Sequence, residues 1–230
     1  MLLIDYGIIG IVGLLIYSVA DAIISPVCGL RISCNDEKVL AVGYEKRLFI
    51  KKPITIDMNI DSHVLIIGLS NCGKSKLAEG MLQGKSVTIV NAFPEDFPTL
   101  KGKRIAGEDE ILNYLEHVLD DRTNESKVHY LLIDEMLVLM RNKKIEKALA
   151  ELLAVARHYN LYIVALGQEG TREVIKCKNL FNVRICMKQL EESSFRTVLG
   201  CSVEDRFLKQ REFYIVDNQG LRKGKTYNIN

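Results

Sequence analysis

None of the six cysteines of this 230-residue chain (Cys28, Cys34, Cys72, Cys177, Cys186 and Cys201) stands in a CxxC pair or at another paired metal-ligand spacing. That absence argues against a zinc site and a disulfide framework, and it fits a reducing compartment. Charge of one sign is not in excess either: 31 Lys and Arg face 29 Asp and Glu, for a net charge of +2. A scaffold that coats nucleic acid by bulk electrostatics is thereby excluded, so any contact with nucleic acid has to be local. Internal repeats and low-complexity stretches are missing as well. With 48% hydrophobic and 26% charged residues, the chain lies far from compositions too polar to bury a core. Its length suits one folded domain with a short appendage.

Between Tyr6 and Leu30 the one charged residue is Asp21, and 7–20 (GIIGIVGLLIYSVA) is almost wholly apolar, with neither alternation nor a polar helical face. A helix needs about 20 residues to cross the hydrocarbon core. Continued through Ile24 to a stop at Pro26, the run reads as a single membrane helix, provided that Asp21 lies near an interface. A buried core helix and a cleaved signal peptide are the alternatives. The signal lacks its basic start, because no Lys or Arg precedes the run and Asp5 stands there instead. Basic residues follow the run, at Arg31, Lys38, Lys46, Arg47, Lys51 and Lys52, which orients the N-terminus outside and the remainder in the cytoplasm.

Residues 38–57 carry short β-rich pieces (KVLAVGY, RLFI, ITID) punctuated by Gly43 and Pro53, the pattern of a hairpin leading into a core strand. Beyond it strands and helices alternate. HVLIIG (63–68), SVTIVNAF (86–93), VHYLLID (128–134) and LYIVALG (161–167) are too apolar to face water on one side, which predicts a parallel sheet covered on both faces. Ile111, Leu112, Leu115, Val118 and Leu119 have helical spacing, as do Ile145, Leu149, Leu152, Leu153 and Ala156. The expected class is α/β, a mostly parallel sheet sandwiched by helices. Residues 213–229 read as a terminal hairpin turning between Asn218 and Gly224. The expected organisation is an anchor over 1–30, a β-rich lead-in over 31–62 and the main domain over 63–230.

The strand HVLII opens into Gly68, Leu69, Ser70, Asn71, Cys72, Gly73, Lys74 and Ser75, followed by the helix-compatible KLAEGML. This is the GxxxxGK[ST] phosphate loop in its strand-to-helix setting. Its glycines let backbone N–H groups and the next helix N-terminus point at a polyphosphate. Lys74 supplies charge to the β- and γ-phosphates, and the Ser75 hydroxyl ligates magnesium, so ATP and Mg2+ are the expected cofactors. Asp134 and Glu135 end the strand YLLI, where Asp134 can hold the metal and Glu135 can act on the attacking water. Taken alone, such a pair can equally cap the next helix. Gln168 follows LYIVALG at the same end of the sheet, where an amide can reach a γ-phosphate or the lytic water. Arg157, Arg184 and Arg196 are candidates for a cation at the transferring phosphoryl group. His63 reads as packing at the start of its strand and Cys72 as a small filler within the loop.

DSHVLIIGLSNCGKSKL resembles the phosphate-loop region of the FtsK/SpoIIIE and HerA superfamily of DNA-pumping ATPases, where a His commonly opens the same strand. Residues 150–200 resemble that superfamily's later block: Ala-Arg before a strand, Gln after it, an Arg-containing strand, then a Ser-x-Arg-Thr-x-Leu helix. On this resemblance Arg157, Gln168, Arg184 and Arg196 fall on motif positions, and the match runs over about 39–217. It departs where Glu169-Gly170 replaces Arg-Pro after Gln168, and where no Asp-Pro-Lys follows SVTIVNAF. There is also no room after Asn230 for a winged-helix module.

The resemblance implies a RecA-like P-loop fold and a homo-oligomeric ring, typically a hexamer, around double-stranded DNA, with each ATP site between subunits. Lys101, Lys103 and Arg104, or Arg141, Lys143 and Lys144, can line the lumen. The expectation is a membrane-anchored motor of a minimal, mobile-element or viral type, in the membrane of a cell or a virion. It would serve conjugation, DNA segregation or genome packaging, with conjugation or capsid-vertex proteins as partners. A membrane-bound ATPase for protein secretion or filamentous-phage-type assembly is the alternative. A small-molecule kinase uses the same loop, but the chain has no lid-like arginine cluster.

Overall fold

The computed structural model describes residues 36–47, 50–168 and 178–227. The expected N-terminal membrane helix, and the departure at Glu169-Gly170, lie outside them. Among the described residues no helix is long and apolar enough to cross a membrane.

The chain runs β1 (Val39–Arg47), β2 (Ile50–Asp57), β3 (Val64–Ile67), α1 (Lys74–Leu82), β4 (Val87–Val90), β5 (Gly102–Ile105) and α2 (Glu108–His117). It continues through β6 (His129–Ile133), α3 (Met136–Leu139), α4 (Lys143–Val155), β7 (Leu161–Gly167), β8 (Val183–Cys186), α5 (Glu192–Leu199), β9 (Glu212–Asp217) and β10 (Gly220–Thr226). These strands form one sheet in the order β2-β1-β10-β9-β8-β3-β7-β6-β4-β5. From β8 to β5 neighbouring strands are parallel; β9, β10, β1 and β2 extend that edge as antiparallel partners.

The apolar runs recognised in the sequence are buried because the sheet has a core on each face. Successive side chains of a strand point to opposite faces. Leu65 and Ile67 of β3, Leu131 and Ile133 of β6, and Ile163 and Ala165 of β7 join the apolar stripes of α2, α4 and α5. Val64 and Ile66, Tyr130 and Leu132, and Val164 and Leu166 face the other way, where Leu77, Ala78 and Met81 of α1 pack with Leu40 and Val42 of β1 and Ile54 and Ile56 of β2. The β1–β2 lead-in is therefore a cover for α1 rather than a separate unit.

Three details differ from the sequence reading. Gly43 and Pro53 lie inside strands instead of ending them: Gly43 adjoins a β-bulge, and Pro53 is on β2, the sheet's edge strand, where a missing N–H costs no ladder bond. The terminal hairpin turns on Asn218 and Gln219 alone, because Asp217 Oδ1 accepts the Gln219 N–H at 2.9 Å and Gly220 takes φ +91°. The strand β5 had no apolar signature to announce it, since three of its four residues are exposed.

Candidate functional site

The parallel order places three strand ends side by side. β3 leads into the phosphate loop, β7 lies beside it, and β6 lies beyond β7. Ligands of parallel α/β sheets bind at such carboxyl ends, where loops and helix N-termini converge. The β3–α1 turn is held by backbone bonds on both sides: Gly68 N–H donates to Gly167 O at 3.1 Å and Leu69 N–H to Lys188 O at 3.0 Å. Gly68 has no room for a side chain, since a Cβ would lie 2.7 Å from Cys72 Sγ and 2.8 Å from Met187 Cβ. Gly73 takes φ +109°, a conformation open to glycine at little cost.

No side chain caps α1, and its first turn carries no acidic residue. Its leading N–H groups are thus left for an anion, which the helix dipole also favours. Lys74 is buried and folds its ammonium over the loop, donating to Gly68 O at 2.7 Å and Leu69 O at 3.0 Å. Ser75 is exposed beside it. Cys72 is buried, and burial pushes its thiol up, which agrees with a filler and not a nucleophile.

At the end of β6, Asp134 and Glu135 are both partly exposed. Burial first, and then the neighbouring Glu135 carboxylate, push Asp134 up to about 6. A carboxylate so placed gains from a nearby cation. The oxygen set of Asp134 and Ser75 suits a hard divalent ion such as Mg2+, which takes one or two protein ligands and completes its shell with phosphates and water. Among the described residues no group of three or more His, Cys, Asp or Glu could hold a metal unaided, consistent with a cation bound together with a nucleotide.

Glu135 occupies the left-handed region at φ +48° and ψ +44°. Such strain in a side-chain-bearing residue concentrates at functional sites. Its carboxylate Oε1 accepts a short hydrogen bond from Gln168 Nε2. The same amide, through its Oε1, accepts from Ser70 Oγ at 3.2 Å. A continuous chain of hydrogen bonds thus joins the phosphate loop, through Gln168, to Glu135.

Ser70 entered the sequence reading only as a loop position, and its link to Gln168 needed the β3–β7 neighbourhood. Asn91, at the end of β4 where the related pattern carries Asp-Pro-Lys, also went unnoticed. It takes φ +61° and donates from Nδ2 to Asp134 O at 3.1 Å, bracing the strand end that carries the carboxylates.

The arginines do not join this group. Arg157 is exposed in the turn that enters β7, at the end of that strand remote from Gln168. Arg184 lies within β8 opposite Leu65, which places it on the face covered by α5, and its Nε is buried without a partner among the described residues. Arg196 is exposed on α5 and donates to Ser202 Oγ at 3.0 Å. Of the basic clusters, Arg104 is committed to the carbonyls of Phe93 and Asp96 at 3.0 and 2.6 Å, and Lys103 lies 5.5 Å from the Tyr114 ring centre. Arg141, Lys143 and Lys144 are exposed between α3 and α4, close in sequence to the carboxylate pair.

The fold and this site define a P-loop ATPase. No protein-family model matches the chain. The DNA translocase FtsK of Staphylococcus aureus (strain Mu50) is 22% identical over 185 residues, 77% of this chain and 23% of FtsK, so the chain spans about a quarter of the curated relatives it matches. Among solved structures, the pCW3 conjugation coupling protein TcpA with ATPγS is similar with a TM-score of 0.71 and 18% identity, over 85% of this chain and 67% of that one. The cytoplasmic domain of the type VII secretion ATPase EccC of Thermomonospora curvata follows at 0.66 and 17%, over 84% and 26%. Together they support the FtsK/SpoIIIE superfamily of P-loop translocases as this chain's kin.

Proposed function

We propose that the chain is the ATP-hydrolysing motor of a double-stranded DNA translocase, anchored to a membrane and working as a homo-oligomeric ring. The observation that carries the motor reading is the Ser70–Gln168–Glu135 chain, which ties the residue that would act on water to the loop that would hold the phosphates. A site that only stored nucleotide would have no use for that coupling. The FtsK relatives support DNA as the substrate.

In this reading the loop N–H groups from Gly68 to Ser75 and the Lys74 ammonium bind the β- and γ-phosphates. Lys74 exchanges its two carbonyl partners for phosphate oxygens as it does so. Ser75 and Asp134 would hold Mg2+, which supplies charge neutralisation to the phosphates when bound. Glu135 orients the attacking water and takes its proton. Gln168 fixes the Glu135 carboxylate and, through Ser70, makes its position depend on what occupies the loop.

Hydrolysis of ATP by the purified chain should rise several-fold on adding linear duplex DNA, as a coupled-enzyme assay measures. The likeness to EccC supports a second reading, a protein-secreting motor. Turnover indifferent to DNA but raised by a polypeptide substrate would favour it. The apolar segment 7–24, with basic residues following, supports the anchor and a cytoplasmic ATPase domain, or the membrane of a virion. Release from membranes by high salt without detergent would overturn the anchor.

A further inference from the structure

The phosphate loop and the carboxylates account for the triphosphate end of a nucleotide and leave its nucleoside without a place. The sheet order supplies a direction. β3 has β7 on one side, with β6 beyond it, and there Gln168, Asp134 and Glu135 mark where the γ-phosphate end must lie. A polyphosphate laid along the loop therefore directs its nucleoside to the other side, toward β8, β9 and β10.

On that side the loop is joined to the end of β10 through one residue. Arg211 donates its N–H to Cys72 O at 3.2 Å and accepts the Thr226 N–H at 3.0 Å. Its Nε donates to Thr226 Oγ1 at 3.2 Å and its Nη2 to Thr226 O at 2.8 Å. Arg211 holds the left-handed conformation, φ +70°, and its Cγ lies 3.4 Å from where a Cβ on Gly73 would stand. This places Thr226, and Tyr227 after it, one residue's breadth from the loop. Tyr227 is partly exposed, and its ring lies 5.8 Å from that of Tyr44, tilted by 45°. The Lys51 ammonium in turn lies 5.3 Å from the centre of the Tyr44 ring.

We propose that Tyr227, braced by Tyr44 and held to the phosphate loop through Arg211 and Thr226, is the stacking face of a purine nucleoside subsite. The inference rests on the phosphate-loop reading above and deepens it, adding base selectivity to phosphate binding. An aromatic ring offers a π-face to any base, and the larger purine ring system gains more from it than a pyrimidine. Tyr44 and Arg211 act through Tyr227 and are positioning residues.

The test is calorimetric titration of the full chain in detergent, with Mg2+, by ADP, UDP and inorganic pyrophosphate. Pyrophosphate reads the loop alone; ADP reads loop and base. The Tyr227→Ala variant should bind ADP about tenfold more weakly, bind pyrophosphate as before, and lose most of its preference for ADP over UDP. Tyr227→Phe should keep ADP affinity within about twofold, because the stacking face remains. Tyr44→Ala should weaken ADP by a smaller factor, again with pyrophosphate unchanged. An unaltered ratio of ADP to pyrophosphate affinity in Tyr227→Ala would overturn the inference, whether both affinities fell together or neither fell. The phosphate-loop reading fails separately, if Lys74→Ala binds pyrophosphate and ADP as tightly as the unaltered chain.

Discussion

Glu135 combines a strained backbone, a carboxylate beside that of Asp134, and a hydrogen bond from Gln168. Each is a cost or constraint that a residue serving only as a turn would have little reason to carry. Lys74 differs: its ammonium is already satisfied by two loop carbonyls, so its contribution to phosphate binding is an exchange of partners. The two substitutions should therefore fail differently. Lys74→Ala should weaken nucleotide binding itself. Glu135→Gln should leave ATP bound and reduce turnover about 100-fold or more, the usual contribution of a positioned general base. Nucleotide titration together with single-turnover kinetics separates the two, and hydrolysis by Glu135→Gln at the unaltered rate would remove Glu135 from the role. These residues were legible in the sequence because each stands where an apolar strand meets its turn. Ser70 and Asn91 were not, because their partners come from strands distant in sequence and adjacent only in the sheet.

His63 shows how elements are locked behind the site. Its Nδ1 accepts the Ile163 N–H at 3.0 Å and its Nε2–H donates to Leu153 O at 3.1 Å, so one neutral tautomer joins the start of β3 to β7 and to α4. Burial, against an opposing hydrogen bond from Leu153 and with help from the Arg157 charge, pushes the imidazole down from 6.5 to about 4. Between these values the unfolded chain takes up a proton that the folded chain excludes. The stabilisation is thus complete above pH 6.5 and lost as pH falls toward 4, on the order of 3 kcal/mol at most. Asp134, raised to about 6, has the opposite slope over part of that range, so the whole protein's profile will not isolate the histidine. The difference between the unaltered chain and His63→Gln should do so: denaturant midpoints measured from pH 7.5 to 4.5 should converge as the pH falls. Parallel profiles would mean that His63 is not buried in its neutral form. Packing at the start of a strand was readable from the sequence, whereas the clamp across three elements was not.

At the scale of the whole molecule, one chain gathers phosphate loop, carboxylates and Gln168 but no arginine against them: among the described residues Arg157, Arg184 and Arg196 make no hydrogen bond to that group. A transferring phosphoryl group accumulates charge that such a cation stabilises, and its absence can cost about a thousandfold in rate. The ring proposed above resolves this if a neighbouring subunit supplies the arginine. Arg196, exposed on α5, is the cleaner probe, because substituting Arg184 also disturbs a partly buried position. Subunits bearing Arg196→Ala or Arg184→Ala, mixed with subunits bearing Glu135→Gln, should regain activity that neither has alone, since mixed interfaces combine an intact base with an intact finger. Turnover should also rise faster than linearly with protein concentration until assembly is complete. Strictly linear activity, with neither arginine mattering, would rule out the shared site.

The sequence by itself determined the local chemistry and the layered plan. Buried strands need apolar residues on both faces, and a phosphate loop needs its glycines, lysine and serine at set spacing, so composition and order alone expose them. Tertiary structure alone decided which strand ends become neighbours. That β7 lies between β3 and β6 is what brings Gln168 between Ser70 and Glu135. That β10 returns beside β1 is what sets Tyr227 against Tyr44 and near the loop. The exposed strand β5, the bulge at Gly43 and the two-residue turn at Asn218 likewise carry no periodic signal, because hydrogen bonds to distant or irregular partners hold them. Hydrophobic pattern specifies which side of an element is buried, and pairing across the sheet specifies against what.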